Sequence, residues 1–465
     1  MLDLALAAFV LGFLALGLRR PFLWVLAYLY IDIVAPQKIS YFLLASIPLS
    51  LIAFLAAFAG WLLADDKTDS RFTARQGMLL VLLIYCGVTT LTADFPVEAA
   101  DKWAWVWKAL VFAIFLPLTL RTRLRIEAAV LFMVLAAGSI VITGAIKTLA
   151  SGGGYGSLHF FVSDNTGLYE GSIISCVAVA IIPLVLWVSR HGTVFPPDKR
   201  VRLFGYALVF ACLLIPVGTQ ARTGLLSIGL LGVLSLRSVK NPLLYVGVIA
   251  ALGLVVVPFL PSTYTERMST IENHDGDQSA STRLAVWAWT IDYAKDHPLG
   301  GGFDSFRSNR LVIQTTDTAT AGNTSAVAVN TVEDRGRAFH SSYFEMLGEQ
   351  GWPGLALWLA LQISGLWQME RLRARWGKRA LAARGAPGAE PDAQWQAPLA
   401  TALQQAQFVY LLGSAFVGIA YQPFILMLIG LQCGLWSYLR RIDSPDRAVI
   451  RPPLRLTPGA EPLMP

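Results

Sequence analysis

Long apolar runs constrain this chain more than any other feature, because they recur along nearly its whole length. A bilayer core about 30 Å thick is crossed by roughly 20 helical residues, and most of the runs have that length or are slightly shorter. With 55% of its 465 residues hydrophobic and 14% charged, the chain is too apolar for water-soluble domains. We therefore predict an all-α integral membrane protein, a polytopic bundle of about 12–13 transmembrane helices. The predicted segments lie at 2–18, 21–35, 41–63, 77–93, 103–120, 128–149, 171–189, 203–219, 224–236, 242–260, 343–366, 405–420 and 423–439.

The net charge of +7 comes from basic residues in short loops between these runs. Seven loops on one side of the predicted bundle hold 25 of the 37 Lys and Arg residues. The positive-inside rule makes that side cytoplasmic and leaves the N terminus on the other side. Because Asp3 precedes the first run and basic residues follow it, we expect a membrane helix there rather than a cleaved signal peptide. Scattered in this way, the charges indicate membrane lipids as partners and no nucleic acid. The loops are Arg19–Arg20, 65–76, 121–125, 190–202, 237–240, 371–384 and 440–455.

The same pattern divides the chain into regions. Residues 1–260 are predicted to form an N-terminal transmembrane bundle, and 343–441 hold the C-terminal transmembrane helices with a cytoplasmic linker at 367–400. Between them, 261–342 is too long for a simple connection and is expected to fold as a helical subdomain on the non-cytoplasmic side. The proline-rich residues 442–465 are expected to be a disordered cytoplasmic tail.

One surface helix is predicted inside that subdomain. It would run over 283–296, capped by Ser281 or Thr282 and stopped by the His297–Pro298 pair and three glycines. The stretch 311–332, rich in Thr, Ala, Ser and Val, is expected to be a flexible excursion. Helical spacing gives the predicted helix one apolar stripe, formed by Leu284, Trp287, Ile291 and Ala294.

Three polar residues near the non-cytoplasmic ends of segments are candidates for chemistry. Arg222 lies in the turn TQARTGLLS, and an arginine so close to hydrocarbon is a functional hypothesis by default. Arg283 opens the surface helix, and its rigid guanidinium fork matches phosphate oxygens. His340 directly precedes the segment SSYFEMLGEQGWPGLALWL, and histidine is well suited to take a proton near neutral pH. Plain structural roles remain open for each: a snorkelling arginine, a surface salt bridge and a helix cap.

Two carboxylates lie close to the histidine in sequence. Glu345 and Glu349 are four residues apart and share one face of the segment. Carboxylates near the end of a membrane helix need partners, for which Arg222 and Arg283 are the candidates. They can orient those arginines or His340, and a packing role alone is an equal alternative.

Two weaker signals complete the set. Arg267, in TYTERMSTI, is a possible supporting residue, and His274-Asp275-Gly276-Asp277 contains a D-x-D pattern. Metal-dependent glycosyltransferases use such carboxylates to hold a divalent cation on a diphosphate. Because a lone D-x-D is a weak pattern, we expect neither a metal site nor a cofactor.

A base and two arginines at a lipid boundary suit a lipid-linked diphosphate as substrate. The arginines would neutralise the leaving pyrophosphate as charge develops, while His340 takes the proton of an acceptor hydroxyl. A transporter or flippase of lipid-linked glycans would also need buried arginines. The base candidate and the lack of internal repeats in the sequence favour an enzyme.

The stretch STRLAVWAWTIDYAKDHPLGGGFDSF, followed by RAFHSSYFEMLGEQGWPGLALWL, resembles the signature region of the O-antigen ligase and polymerase superfamily. The shared elements are an Arg-led helix, the turn Pro298–Gly302, His340 before a membrane helix and the Glu-x-Gly-x-x-Gly run Glu349–Gly354. The sequence Arg222-Thr223-Gly224 fits an arginine at a helix start. The segments LRRPFLWVLAYLYIDIVAPQKISY and YGSLHFFVSDNTGLYEG are similar to O-glycosylation ligases associated with exosortase systems. The sequence departs from the pattern at Ser341, where relatives often have Asn.

The resemblance implies a metal-independent inverting glycosyltransferase of the bacterial inner membrane with its active site facing the periplasm. Such an enzyme takes a glycan from undecaprenyl pyrophosphate and passes it to a hydroxyl. The acceptor is a lipid A–core sugar for O-antigen ligases, a Ser or Thr of a protein for O-glycosylation ligases and another glycan for polymerases. Carried over by position, His340 would be the general base, and Arg222 and Arg283 would bind the pyrophosphate.

Overall fold

Helices dominate this computed structural model, as the apolar runs predict, and the all-helical polytopic class is confirmed. The structure describes residues 2–40, 42–67, 71–150, 168–237, 241–247, 278–321, 324–383 and 394–443. The helices are α1 (Leu2–Arg19), α2 (Phe22–Val34), α3 (Pro36–Ile39), α4 (Leu49–Ala64), α5 (Ala74–Leu91), α6 (Pro96–Thr119), α7 (Arg123–Ala150), α8 (Gly171–His191), α9 (Lys199–Thr219), α10 (Arg222–Leu236), α11 (Gln278–Asp296), α12 (Ser342–Ala383), α13 (Gln396–Ser414) and α14 (Pro423–Ile442).

Within this described part, six helices are long and apolar enough to cross a membrane: α5, α6, α7, α8, α9 and α14. Helices α2, α4 and α10 are apolar but shorter. Every predicted segment except 242–260 overlaps one of the helices, and of that segment only 242–247 is described. The number of membrane crossings therefore stays a prediction, whereas the helices themselves follow the hydrophobic pattern closely.

Helix α8 lies at the centre and packs against α7, α9, α10 and α13, while α14 packs against α6. Buried side chains bridge helices within this core. Arg75 donates to Gln432 Oε1 at 3.0 Å, and the Gln432 amide donates to Gln407 Oε1 at 2.9 Å. Gln407 in turn donates to Gln362 Oε1 at 2.7 Å. Since polar groups in hydrocarbon must find partners inside the protein, this chain of bonds fixes how α5, α12, α13 and α14 align.

The loops predicted to be cytoplasmic meet at one end of the bundle, which we call the basic end. Arg125 forms paired bonds of 2.6 and 2.8 Å with the Asp65 carboxylate and lies 4.9 Å over the Phe22 ring. Arg123 donates to the His191 carbonyl at 3.3 Å. Further contacts between these loops join Arg121 to Asp66, Arg441 to the Arg121 carbonyl, Arg375 and Arg379 to Asp443, and Arg237 to Glu370.

The other end of the bundle, called the opposite end, carries the connections that have no place at the basic end. They include the turns at 92–95, 168–170, 220–221, 297–309, 336–341 and 415–422. Apart from 297–309, each directly follows or precedes a helix whose far end contributes to the basic end. The turn 297–309 joins the same end because Asp94 N–H donates to the Gly301 carbonyl at 2.9 Å. The alternation inferred from the charges is thus matched by the packing.

Helix α11 begins at Gln278, so Ser281 and Thr282 lie inside it and the predicted cap is wrong. It ends at Asp296, as the following His-Pro pair predicts. Two members of the predicted stripe are also wrong, because Leu284 is 62% and Ile291 40% exposed. The buried face is formed by Val286, Thr290 and Ala294. Packing against α12 and Phe339, and not hydrophobicity alone, sets which face is turned inward.

A β-hairpin replaces the flexible excursion predicted over 311–332. Strand β1 (Arg310–Ala321) pairs antiparallel with β2 (Thr324–Arg335), and Arg310 lies opposite Arg335. The prediction was wrong because Thr and Val were treated as loop residues, whereas β-branched side chains favour strands. Asn309 fixes the open end of the hairpin. Its backbone carbonyl accepts from Gly336 N–H at 3.1 Å, and its side chain forms hydrogen bonds with both the N–H and the carbonyl of Arg337. The subdomain is accordingly mixed, and not purely helical.

Helix α12 continues to Ala383 and therefore occupies much of the region assigned to a linker at 367–400. Residues 384–393 of that region lie outside the described residues, as does the predicted tail from 444 onward. The same holds for 248–277, which includes Arg267 and the D-x-D carboxylates Asp275 and Asp277.

Candidate active site at the opposite end

The turn that follows α11 is docked onto a kink in α12. Gly351 leaves the helical conformation there, with φ of 64° and ψ of −168°. The carbonyls just before the kink lose their helical partners and are satisfied by the turn. Gly301 N–H donates to the Gly348 carbonyl at 3.0 Å, and Gly302 N–H donates to the Glu349 carbonyl at 3.0 Å. The two glycine-containing runs of the sequence resemblance are thus the two halves of one contact.

This contact is too close for side chains. A Cβ atom on Gly300 would lie 2.4 Å from the Glu349 carbonyl oxygen, and one on Gly351 would lie 2.2 Å from the Pro298 carbonyl oxygen. The same Pro298 carbonyl accepts from Trp352 N–H at 3.1 Å. Because both glycines also have positive φ, a side chain at either position is excluded by backbone conformation and by space.

His340 is held in a left-handed backbone conformation with φ of 48°. On one side the buried Phe339 accepts a bond from Trp287 Nε1 at 2.9 Å through its carbonyl. On the other side Ser342 Oγ donates to the Val417 carbonyl at 3.0 Å. A left-handed conformation is uncommon for a residue with a side chain and persists where neighbours fix it on both sides. The fold therefore presents the imidazole at a defined place at the opposite end.

Arg283 lies within electrostatic range of His340. It lies in the second turn of α11, one helical turn before Trp287, whose side chain bonds the residue preceding the histidine. The His340 pKa lies below its ordinary value because surrounding protein removes solvent and because the Arg283 charge opposes protonation. Arg337 acts in the same direction, and Glu170 opposes both. The lowered pKa favours the neutral imidazole, the form that can accept a proton.

Arg222 is the first residue of α10, as the resemblance implies, and lies two residues after a left-handed residue, Gln220, with φ of 52°. The turn is tight, since a Cβ on Gly224 would lie 2.6 Å from Pro216 Cβ. Half-buried, Arg222 lies at the same end of the bundle as His340.

The last turn of α13 lies between the start of α10, which carries Arg222, and the start of α12, which follows His340. Thr223 Cγ2 lies 3.7 Å from an ideal Cβ at Gly413. Tyr343, on the helix that follows His340, donates to the Leu411 carbonyl at 3.1 Å. The structure thus places Arg283 within electrostatic range of the histidine and Arg222 at the neighbouring helix junction.

The two glutamates do not take the arginine partners predicted for them. Lys102 of α6 donates to Glu345 Oε1 at 2.8 Å and to Glu349 Oε1 at 2.7 Å. Glu349 is fully buried, and its Oε1 also accepts from the Asp304 backbone N–H at 3.0 Å. Glu345 Oε2 accepts from Ala420 N–H at 3.0 Å. The carboxylates therefore tie the first turns of α12 to α6 and to two neighbouring turns.

Lys102 is the residue that sequence reasoning missed. The predicted segment was placed at 103–120, which left the lysine just outside, whereas α6 begins at Pro96. A charged side chain inside a membrane helix would have been a signal had the boundary been correct. The ammonium also lies 5.5 Å from the Phe303 ring centroid and 5.3 Å from that of Tyr421, which supports it on its apolar side.

Two family models match parts of this chain. Residues 206–359 match the family model described as O-antigen ligase. This match, over about a third of the chain, supports membership of the O-antigen ligase superfamily. The match runs from α9 into α12 and includes Arg222, Arg283, His340 and the two glutamates. Residues 1–193, with Lys102, match a family of unknown function, DUF5935. No curated protein matches the chain.

Proposed function

We propose that this superfamily member transfers a glycan en bloc from undecaprenyl pyrophosphate to a hydroxyl of a lipid A–core sugar at the periplasmic face of the bacterial inner membrane. The observation that carries the proposal is His340, fixed in a left-handed conformation beside Arg283 with a lowered pKa. A neutral imidazole next to a permanent cation at a lipid boundary suits an alcohol acceptor and an anionic leaving group.

In the proposed step His340 takes the proton of the acceptor hydroxyl as its oxygen attacks the anomeric carbon of the glycan. The bond from that carbon to the pyrophosphate oxygen breaks, and its electron pair leaves with undecaprenyl pyrophosphate. Attack from the face opposite the leaving group inverts the anomeric configuration. Arg283 and Arg222 would offer charge-assisted hydrogen bonds to the pyrophosphate as negative charge develops there.

The acidic residues have a supporting role in this proposal. Glu345 and Glu349, which form ion pairs with Lys102, would hold the start of α12 in place relative to α6. His340, which lies two residues before α12, would be positioned with it. Arg267 is proposed as a further, supporting contact to the donor. Because arginines are assigned the neutralisation of the leaving group, the proposed reaction is metal-independent.

The test is a transfer assay with the purified protein in detergent and EDTA, where transport has no meaning. Undecaprenyl-pyrophosphate glycan is offered together with lipid A–core or with a Ser/Thr-rich periplasmic protein. We expect product on lipid A–core. Product on protein would make the enzyme an O-glycosylation ligase, and lengthened donor chains would make it a polymerase. Activity only after Mg²⁺ addition would contradict the metal-independent mechanism, and no product in any arm would favour a flippase.

Variants identify the groups responsible. His340→Ala should abolish transfer while the protein stays folded and retains donor binding, because only the proton acceptor is removed. Arg222→Ala and Arg283→Ala should each lower kcat/KM about tenfold to a hundredfold, the value of a charge-assisted hydrogen bond. Lys378→Ala, an exposed change at the basic end, is the control that should leave transfer unchanged. Retained turnover in His340→Ala would exclude the histidine as the base.

A further inference from the structure

A groove at the basic end lies between α7, α8 and α9, far from the candidate active site. Its volume is about 380 Å³, within the range of about 300–1,000 Å³ found for sites that bind small molecules. Carbon atoms form nearly all of its surface, and the polar side chains among its lining residues are Ser189 and Arg200. The apolar lining includes Leu131, Val134, Phe195, Val201, Phe204 and Leu208.

The groove opens at the outer surface of the bundle. Its floor is buried, as Val134 and Leu208 show with exposed fractions of 3% each. Its rim is formed by Phe195 and Phe204, which are 51% and 52% exposed. Toward the middle of the bundle it is closed where α7 and α9 meet, since an ideal Cβ at Gly138 would lie 3.4 Å from the Leu208 methyl groups.

Contacts within the protein hold the wall of the groove in place. The loop between α8 and α9 is fastened to Glu127, whose buried carboxylate accepts from Thr193 Oγ1 at 2.6 Å and from Val194 N–H at 2.7 Å. Phe195 follows directly and is succeeded by two prolines, which restrict the backbone. The aromatic rim therefore does not depend on a ligand to hold its position.

The depth of the lining fits a lipid. Residues 131–135 lie about 12–18 Å along α7 from its first residue at the basic end, at a rise of about 1.5 Å per residue. Arg200, in contrast, is in the first turn of α9. Loop 190–202 carries four basic residues and one acidic residue. An occupant must be hydrocarbon inside and anionic at the mouth.

We propose that this groove binds one acyl chain of an anionic phospholipid, with the lipid phosphate at Arg200. Basic side chains at the membrane surface attract anionic lipid headgroups, and the apolar groove takes up the chain. The site is independent of glycan transfer, and its test needs no substrate of that reaction.

The test is native mass spectrometry of the purified full-length protein with phosphatidylglycerol or phosphatidylethanolamine of identical acyl chains. For the first lipid retained, we expect the wild type to prefer phosphatidylglycerol about fivefold, the effect of one basic residue near an anionic headgroup. Arg200→Gln should reduce this preference to about one. Arg202→Gln, an exposed neighbour outside the groove, should keep it.

A second variant tests the binding of the acyl chain rather than that of the headgroup. Val201→Trp fills the groove from its rim and should reduce retention of both lipids. Soluble glycerol 3-phosphate, which has the charge but no chain, should not displace bound phosphatidylglycerol. Equal retention of the two lipids by the wild type, an equal loss in Arg200→Gln and Arg202→Gln, or displacement by glycerol 3-phosphate would overturn the proposal.

Discussion

The electrostatic surroundings of His340 can be tested one residue at a time. Arg337 lowers the pKa of the imidazole and Glu170 raises it, and neither belongs to the groups assigned to chemistry. A base must be unprotonated to act, so kcat/KM for transfer falls as the pH drops through the pKa of the free enzyme. In the wild type this acid limb should lie below the ordinary histidine value of about 6.5.

The two neighbours should move the limb in opposite directions. Arg337→Gln removes a positive charge, raises the His340 pKa and shifts the acid limb to higher pH. Glu170→Gln removes a negative charge and shifts it to lower pH, while the amide oxygen can still accept the cap bond from Ile173 N–H. The measurement is kcat/KM against pH for the three proteins. Shifts of the same sign in both variants would contradict the assignment of His340 as the titrating base.

The ammonium of Lys102 joins helix α6 to helix α12, because it forms ion pairs with two carboxylates of α12. Lys102→Met leaves both without their cation, and breaking a buried pair in this way costs about 3–5 kcal/mol. We expect a clearly lower Tm of the purified protein. The double variant Lys102→Met/Glu349→Gln removes the fully buried charge as well and should recover part of the loss. A double variant no more stable than the single one would show that the lysine acts by packing alone.

The docking of the glycine turn on α12 gives a matched pair of substitutions within one helix. Gly351→Ala places a methyl group 2.2 Å from the Pro298 carbonyl oxygen at a positive φ, so the turn must move and the protein should be destabilised by more than about 1 kcal/mol. Gly377→Ala is the control: nothing lies within 4 Å of its Cβ, and alanine in a helix is favoured by about 0.5–1 kcal/mol. The Tm should therefore fall in Gly351→Ala and rise slightly in Gly377→Ala. Equal changes of Tm in the two variants would contradict the docking of the turn on α12.

Helix positions could be read from the sequence because hydrocarbon admits few alternatives to the helix. The contacts that build the site could not. The faces of α11 depend on Phe339 and α12, which lie 40 and more residues away in sequence. Lys102 meets Glu345 and Glu349 across more than 240 positions. His340, Arg222 and Arg283 could be singled out as candidates because a polar group at a lipid boundary is a local signal, whereas a lysine that satisfies buried carboxylates is visible only after folding.

On the scale of the whole molecule, charge divides the bundle into two ends. Arginines from loops far apart in sequence meet carboxylates and carbonyls at the basic end, as Arg125 does with Asp65 and Arg123 with His191. The candidate active site lies at the opposite end. If the basic end is cytoplasmic, as the positive-inside rule requires, the site faces the periplasm.

Cysteine labelling can decide this orientation with little background, because the four native cysteines, Cys86, Cys176, Cys212 and Cys433, are all buried. Lys295→Cys places a thiol on the exposed side of α11, and Lys378→Cys places one on the exposed side of α12 at the basic end. In intact spheroplasts a membrane-impermeant maleimide should label the cysteine at position 295. It should label the cysteine at position 378 only after the membrane is permeabilised. The reverse pattern would place His340 and both arginines in the cytoplasm and would contradict a periplasmic transfer, whatever the chemistry of the site.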